Sequence, residues 1–381
     1  MKNINYKNVI EDASELEFYK KNTTRIIKFL ESVGPSSFGD IISRVEGGDR
    51  RTLRLLSEMT EAGMIEFKSD CFSVKNNLKK YEDLACSGCR GKIIDVNGKK
   101  YKEILTIIED VNSRRPKPTF VFDQRPVTPS SSVNRAFYAA WRNELANKDI
   151  ALIGDDDLTS LAIGLLGFNN RITVFEIDKR LVRFLEEESK KLNLDIQFVE
   201  KNILDGIPDE HRNAYDIFFV DPTPTREPFT VFVNAGIDLL RESDGSIGYL
   251  SFYSSCIGKN IDLQDVLTQM RFLITDLIPF YVDYQPIFHT FRQSDFELMK
   301  KFHVKKINKA FFEYLIRVER TDRTKKLNIK TTVGEIIGRA TKRALADESK
   351  DPALSSNGSD YDYLKTTAKD ILDSENQVIR N

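Results

Sequence analysis

Histidine and cysteine are scarce in this chain of 381 residues, which has three of the first, four of the second and a single tryptophan. Cys71, Cys86, Cys89 and Cys256 are too few for a disulfide framework in a chain of this length. Cys86-Ser87-Gly88-Cys89 has the spacing of half a zinc ribbon. The other half is missing: Cys71 and Cys256 stand at the wrong spacings, and His211, His289 and His303 lie far along the chain. The segment therefore reads as a turn with two free thiols, and no metal is expected. No run of about 18 apolar residues occurs, so no membrane span is expected. The polar start of the chain lacks the apolar centre of a signal peptide. Lys and Arg number 57 against 58 Asp and Glu, a formal net charge of −1. No global field then steers the chain onto nucleic acid or an anionic membrane, and any charged site has to be local. A cytoplasmic enzyme or regulator fits these absences.

The length suits two domains with appendages. Residues 14–75 read as a winged helix. Leu16, Tyr19, Ile26, Ile27, Phe29 and Leu30 repeat at helical spacing, and Gly34-Pro35-Ser36 breaks the pattern. A short helix follows over 38–45. A third runs over 50–62, with Asp49 as its cap and Gly63 as its stop. Met64 to Lys68 and Cys71 to Val74 make a hairpin. Arg50, Arg51 and Arg54 on the third helix make DNA reading conceivable, but docking or dimerisation suits so acidic a module better. The expected division is a winged-helix domain over 1–80, a CxxC linker with a substrate-gate segment over 81–145, a catalytic domain over 146–325 and a flexible tail over 326–381. The tail's polar composition predicts mobility, although Asp360-Tyr361-Asp362-Tyr363 gathers acids and aromatics as a lid over a cation would.

From about 145 to 320, short apolar strands alternate with amphipathic helices, the pattern of a doubly wound sheet buried on both faces. The last two strands, near 274–284 and 311–320, lack a clear helix between them and suggest an antiparallel edge. Such sheets bind ligands beyond the carboxyl ends of their strands. Three acid clusters fall there: Asp155, Asp156 and Asp157 after Gly154; Glu176 and Asp178 after the second strand; and Asp221 in Asp221-Pro222-Thr223-Pro224 after the fourth. In a nucleotide-binding unit the first turn carries glycines that admit a phosphate or carboxylate. Three carboxylates repel an anion and attract a cation. An acid after the second strand is placed for ribose hydroxyls. NAD and NADP are disfavoured, because their pyrophosphate would face the aspartates and the glycine spacing is absent. Decarboxylated S-adenosylmethionine, which keeps only its ammonium and sulfonium charges, suits the turn better than S-adenosylmethionine.

With these features the chain resembles the branched-chain polyamine synthases, aminopropyltransferases of archaea and some bacteria. The resemblance rests on the N-terminal winged helix, the CxxC segment, the Gly-Asp-Asp-Asp turn, the Glu176-Ile177-Asp178 pair, Asp221-Pro222 and the tail. It implies an α/β fold: a Rossmann-like, class I methyltransferase-type doubly wound sheet with an N-terminal winged-helix domain. It also implies transfer of aminopropyl groups from decarboxylated S-adenosylmethionine to the N4 of spermidine, leaving methylthioadenosine, with a catalytic acid in the Asp-rich turn. Asp123 and Gln124, in Phe122-Asp123-Gln124-Arg125, resemble the segment that lies over the site and contacts substrate.

The difficult step is deprotonating a polyamine nitrogen, work for a positioned carboxylate. Asp157 is the expected base, with Asp156 and Asp221 assisting. Gly154, Asp155, Glu176, Asp178 and Asp205 are expected around the co-substrate. Asp155 is expected at its ammonium, Glu176 at the ribose and Asp178 or Asp205 at the adenine. Asp123, Gln124, Tyr253 and Tyr361 are expected around the acceptor. Tyr249, Phe252 and Trp141 are further candidates for the aminopropyl slot. The expected partners are a polyamine and a second copy of the chain, not nucleic acid or membrane. Two alternatives stand. An amino-methyltransferase would carry an aromatic residue after Asp221-Pro222-Thr223, where this chain has Pro224. A winged-helix transcriptional regulator would need a stronger basic face.

Overall fold

In the computed structural model, residues 16–42, 45, 48–74, 93–223, 225–243, 245–253, 257–286, 292–305, 312–356 and 360–379 are described. Cys86 and Cys89 lie outside them. Helices α1 (Leu16–Val33), α2 (Phe38–Ile42) and α3 (Gly48–Glu61) precede a hairpin of β1 (Ile65–Lys68) and β2 (Cys71–Val74). Ser69 and Asp70 turn it with φ of 50° and 60°, the left-handed pair that two-residue hairpins favour. Ser36 bridges to Phe72 beside it. Tyr19, Ile26, Leu30, Leu53, Leu56, Met59 and Phe72 form the core of this unit, and Phe302 and Phe312 from the far end of the chain join it.

Arg54, grouped above with possible DNA-facing residues, turns inward. Its guanidinium donates to both oxygens of Asp295, at 2.7 and 2.9 Å, and Asp295 is fully buried. The charge that α3 would have offered to a phosphate is thus neutralised inside the protein.

Helices α4 (Lys99–Arg114) and α5 (Pro129–Trp141) follow. Tyr101, Ile104, Ile108, Val133 and Ala136 share one core with Ile150, Leu152 and Val174. Most of the segment expected as a linker therefore packs on the sheet; its apolar residues recur at helical spacing between charged ones.

The sheet comprises β3 (Asp149–Ile153), β4 (Arg171–Glu176), β5 (Ile196–Glu200), β6 (Ile217–Val220), β7 (Ile247–Tyr253), β8 (Leu273–Asp283) and β9 (Phe312–Glu319), in the spatial order β5-β4-β3-β6-β7-β9-β8. The first five strands are parallel, and β9 lies antiparallel to both β7 and β8. Helices α6 (Thr159–Leu165), α7 (Lys179–Lys191) and α8 (Arg226–Leu239) lie between the parallel strands, and α9 (Ile257–Gln269) leads from β7 to β8. Strand order reverses between β3 and β6, and the crevice at their carboxyl ends is the topological binding point of such sheets.

The β8–β9 connection does contain a helix, α10 (Gln293–Lys301), which supplies Asp295 to Arg54. It does not return the chain to parallel, so the antiparallel edge forms as expected.

The segment from 326, expected to be mobile, is folded over most of its described length. A turn of π-helix over Gly334–Gly338 leads into α11 (Arg339–Ala346), and α12 (Tyr361–Asp373) follows. Ile336, Ile337, Ala344, Leu364, Ala368 and Ile371 close over Phe120 and Val121. Asp351, buried in a stretch that reads as solvated, accepts from Thr119 Oγ1 at 2.9 Å and from the Phe120 N–H at 2.6 Å. A few apolar residues at helical spacing and this one carboxylate outweigh the polar average. Among the described residues, no helix is long and apolar enough to cross a membrane.

Candidate functional site

The crevice begins where β3 ends. Gly154 is exposed with φ of +75°, and no atom lies within 4 Å of where a Cβ would stand. Only glycine takes this conformation without strain, and the space beside it admits a ligand. Asp155 turns into the fold: its Oδ1 accepts from the N–H groups of Thr159 at 2.8 Å and Ser160 at 3.2 Å, so it caps α6. Asp157, the expected base, is tied at both oxygens. Oδ1 accepts from the Val127 N–H at 3.1 Å and Oδ2 from Arg135 at 2.5 Å.

Asp156 is different. Its Oδ2 is buried and has no hydrogen-bond partner among the described residues. Burial and the neighbouring Asp157 charge push its carboxyl up to about 8, against the pull of Arg115. The Arg115 guanidinium donates to the Asp156 carbonyl.

At the end of β4, Glu176 accepts from the backbone N–H groups of Asp155 at 3.0 Å and Asp178 at 2.9 Å, locking the two loops together. Burial pushes its carboxyl up to about 7. Asp178 caps α7, pairs with Arg180 at 2.7 Å and accepts from Gln124 Nε2 at 3.0 Å. Its oxygens and the Gln124 amide thus have partners within the fold. Asp205 is exposed in a 3-10 turn over Ile203–Asp205.

At the end of β6, Asp221 Oδ2 accepts from the Tyr284 hydroxyl at 2.5 Å and lies 3.9 Å from Arg135. Burial and the nearby Glu313 hold its carboxyl well above the usual carboxylate range. Asp123 accepts from Thr223 Oγ1 at 3.0 Å, which fastens the gate segment to the loop after β6.

Tyr253 ends β7 opposite Glu313 in the β7–β9 register. The Tyr361 hydroxyl donates to Glu348 at 2.7 Å. Its neighbour Tyr363 lines a cavity of about 560 Å³ with Ile177, Asn202, Thr366 and Thr367, between the ends of β4 and β5 and α12. Tyr249 and Phe252 are core residues, with the Tyr249 hydroxyl bonded to Glu144, and Trp141 is about half exposed on α5. These three do not line a slot beside the acids.

The crevice therefore offers carboxylates with raised proton affinity, one unpaired carboxylate oxygen, and an open approach beside Gly154. It suits a nucleoside bearing positive charge and a base working near neutrality.

Residues 103–341 match the model of the branched-chain polyamine synthase A C-terminal domain. The chain belongs to the branched-chain polyamine synthase family. It is 26% identical over 339 residues to the N(4)-bis(aminopropyl)spermidine synthase of Thermococcus kodakarensis, covering 86% of this chain and 95% of that one. It is 27% identical over 281 residues to the synthase of that name from Methanocaldococcus jannaschii, covering 71% and 79%. The crystal structure of the branched-chain polyamine synthase from Thermus thermophilus, in complex with N4-aminopropylspermidine and 5′-methylthioadenosine, has the same fold. Its TM-score is 0.64 at 21% identity, covering 85% of this chain and 96% of that one.

Four residues of the synthase crevice escaped the sequence reading: Arg115, Arg135, Tyr284 and Glu313. Arg135 left a signal, since it stands beside Val133 and Ala136 on the buried face of α5, where an unpaired guanidinium would be costly. The others carry no local mark.

Proposed function

We propose that the chain is an aminopropyltransferase that moves aminopropyl groups from decarboxylated S-adenosylmethionine to a polyamine, the N4 of spermidine, giving branched polyamines and methylthioadenosine. The observation that carries this reading is the acid-filled turn after β3, where Asp156 keeps a buried, unpartnered oxygen in a member of this family.

In this reading Gly154 and Glu176 receive the ribose, and the cavity beside Ile177, Asn202 and Tyr363 receives the adenine. Asp156 seats the aminopropyl ammonium. Asp157, neutralised by Arg135, fixes the turn and the gate segment through Val127. Asp221 takes the proton, because its raised proton affinity suits a base for an amine better than that of an ordinary carboxylate. The N4 ammonium gives one proton to Asp221, and the freed lone pair attacks the methylene carbon beside sulfur. The carbon–sulfur bond breaks, sulfur keeps that electron pair and leaves as a neutral thioether, and the new tertiary ammonium carries the charge. Asp123, Gln124 and Tyr253 border the acceptor side.

Residues 16–74 are read as a winged helix that docks on the catalytic unit through Arg54 and Asp295. The catalytic unit starts near residue 94, and the tail forms one wall of the nucleoside cavity.

The test is incubation with decarboxylated S-adenosylmethionine and spermidine, followed by mass spectrometry. Methylthioadenosine and a polyamine heavier by one or two aminopropyl groups are expected. Methyl transfer from S-adenosylmethionine without methylthioadenosine would reject the reading.

A further inference from the structure

Three oxygens behind the crevice hold more acceptors than one hydrogen can serve. The Tyr284 Oη is 2.5 Å from Asp221 Oδ2 and 2.8 Å from Glu313 Oε2. A phenol carries one hydrogen, and an ionised carboxylate only accepts. If Tyr284 donates to one carboxyl, its contact with the other requires a proton on that carboxyl. The facing cation favours the ionised form on Asp221, whose Oδ2 lies 3.9 Å from Arg135. Arg135 on α5 is the facing cation, and its closest contact is already with Asp157 from the β3–α6 turn; Ser251 on β7 accepts from the same guanidinium at 3.2 Å. Asp123, from the gate segment, is held by Thr223. Asp221 is the member that reaches the crevice, its side chain 17% exposed, whereas Glu313 and Tyr284 are 3% and 4% exposed.

We propose that Glu313 carries a resting proton and Tyr284 passes its hydrogen bond forward, so that Asp221 keeps one ionised oxygen turned to the acceptor amine. Glu313 and Tyr284 are positioning residues: they act through Asp221 and do not touch the substrate. This inference rests on the aminopropyl-transfer reading for its catalytic meaning, but the location of the proton does not depend on it. Burial raises both carboxyls, Glu313 up to about 8 and Asp221 well above the usual range, which supports one proton held by the pair.

Two measurements separate the questions. Infrared difference spectroscopy of the full chain near neutral pH reads the protonated carboxyl directly and needs no turnover. The wild-type minus Glu313→Gln difference spectrum is expected to contain one protonated-carboxyl band, and a difference spectrum without that band overturns the proposal. In steady-state kinetics, glutamine mimics the protonated acid as a neutral donor, so Glu313→Gln should keep kcat within about threefold. Glu313→Leu and Tyr284→Phe should each lose about tenfold or more, with KM for spermidine nearly unchanged. Equal losses in Glu313→Gln and Glu313→Leu would also overturn it. If the wild-type chain releases no methylthioadenosine, the aminopropyl reading fails, while the infrared band still decides where the proton resides.

Discussion

Raising the pH from 6 to 8 should tighten the binding of decarboxylated S-adenosylmethionine by about fiftyfold. Asp156 Oδ2 is buried without a partner among the described residues, and burial and Asp157 push its carboxyl up to about 8. An ammonium seated there needs the ionised carboxylate, so below that value it must displace a proton. One displaced proton changes affinity about tenfold for each pH unit, roughly 1.4 kcal/mol, and the dependence levels off above the carboxyl's own value. Alkylamines such as lysine titrate near 10.4, so over this window the slope belongs mainly to the protein. The same protons set the stability of the free protein. A carboxyl whose folded-state value lies above its unfolded one binds its proton more tightly when folded. Its contribution is fully present below about pH 4 and is lost as pH rises through the folded value. Asp155 and Glu176, both pushed up to about 7 chiefly by burial, act in the same direction. The urea midpoint should therefore fall between pH 5 and 8, and decarboxylated S-adenosylmethionine should restore more of it at the higher pH. Calorimetry in two buffers of different ionisation enthalpy counts the released protons directly, and about one is expected near pH 6. A flat affinity with no proton release would remove Asp156 from the cation seat, and Asp156→Asn should abolish the slope.

Arg54→Ala strands a fully buried Asp295 and should destabilise the chain by roughly 3–5 kcal/mol in urea unfolding; a loss below about 1 kcal/mol would mean the pair is not formed. Gly154→Ala forces a side chain to φ of +75° and puts a methyl into the open approach. It should cost about 1–2 kcal/mol of stability and raise KM for the nucleoside co-substrate more than for spermidine. Ending the chain before Tyr361 removes Tyr363 and Thr367 from the cavity wall. KM for the same co-substrate should rise, and unchanged kinetics would exclude α12 from its binding.

The parallel strands were legible because strands buried on both faces are apolar throughout, as Ile150 to Ile153 and Ile217 to Val220 are, and their ends carry acids. The crevice was legible for the same reason, since strand order places those ends together. The duties of the individual aspartates were not. Asp157 was expected as the base and Asp155 as the group facing a cation, but the chain turns through Leu158 at φ of 59° and Asp155 caps the helix. No local pattern specifies that choice. Arg135, Tyr284 and Glu313 come from α5, the end of β8 and β9, and only the closed sheet brings them to Asp157 and Asp221. The packing of the tail was not legible, because a composition average hides Asp351, whose buried carboxylate bonds Thr119 and Phe120.

The cap at Asp155 also bears on which co-substrate is accepted. The N–H groups that open a helix after the first strand are the usual donors for an anionic ligand group. Here Thr159 and Ser160 already donate to the Asp155 carboxyl, which above about pH 7 serves as a built-in anion. A co-substrate that keeps its carboxylate finds those donors occupied and Asp156 and Asp157 close by. Decarboxylation removes that conflict and leaves an ammonium that the same acids attract. One misplaced charge at intermediate dielectric costs about 1–4 kcal/mol, so S-adenosylmethionine should bind about five- to several-hundredfold more weakly than its decarboxylated form. Asp155→Ser frees donors and removes a charge, and should narrow that ratio even where it weakens both affinities. Equal affinities in the wild-type chain, measured by competition against methylthioadenosine, would show that the acids at this turn do not select by charge.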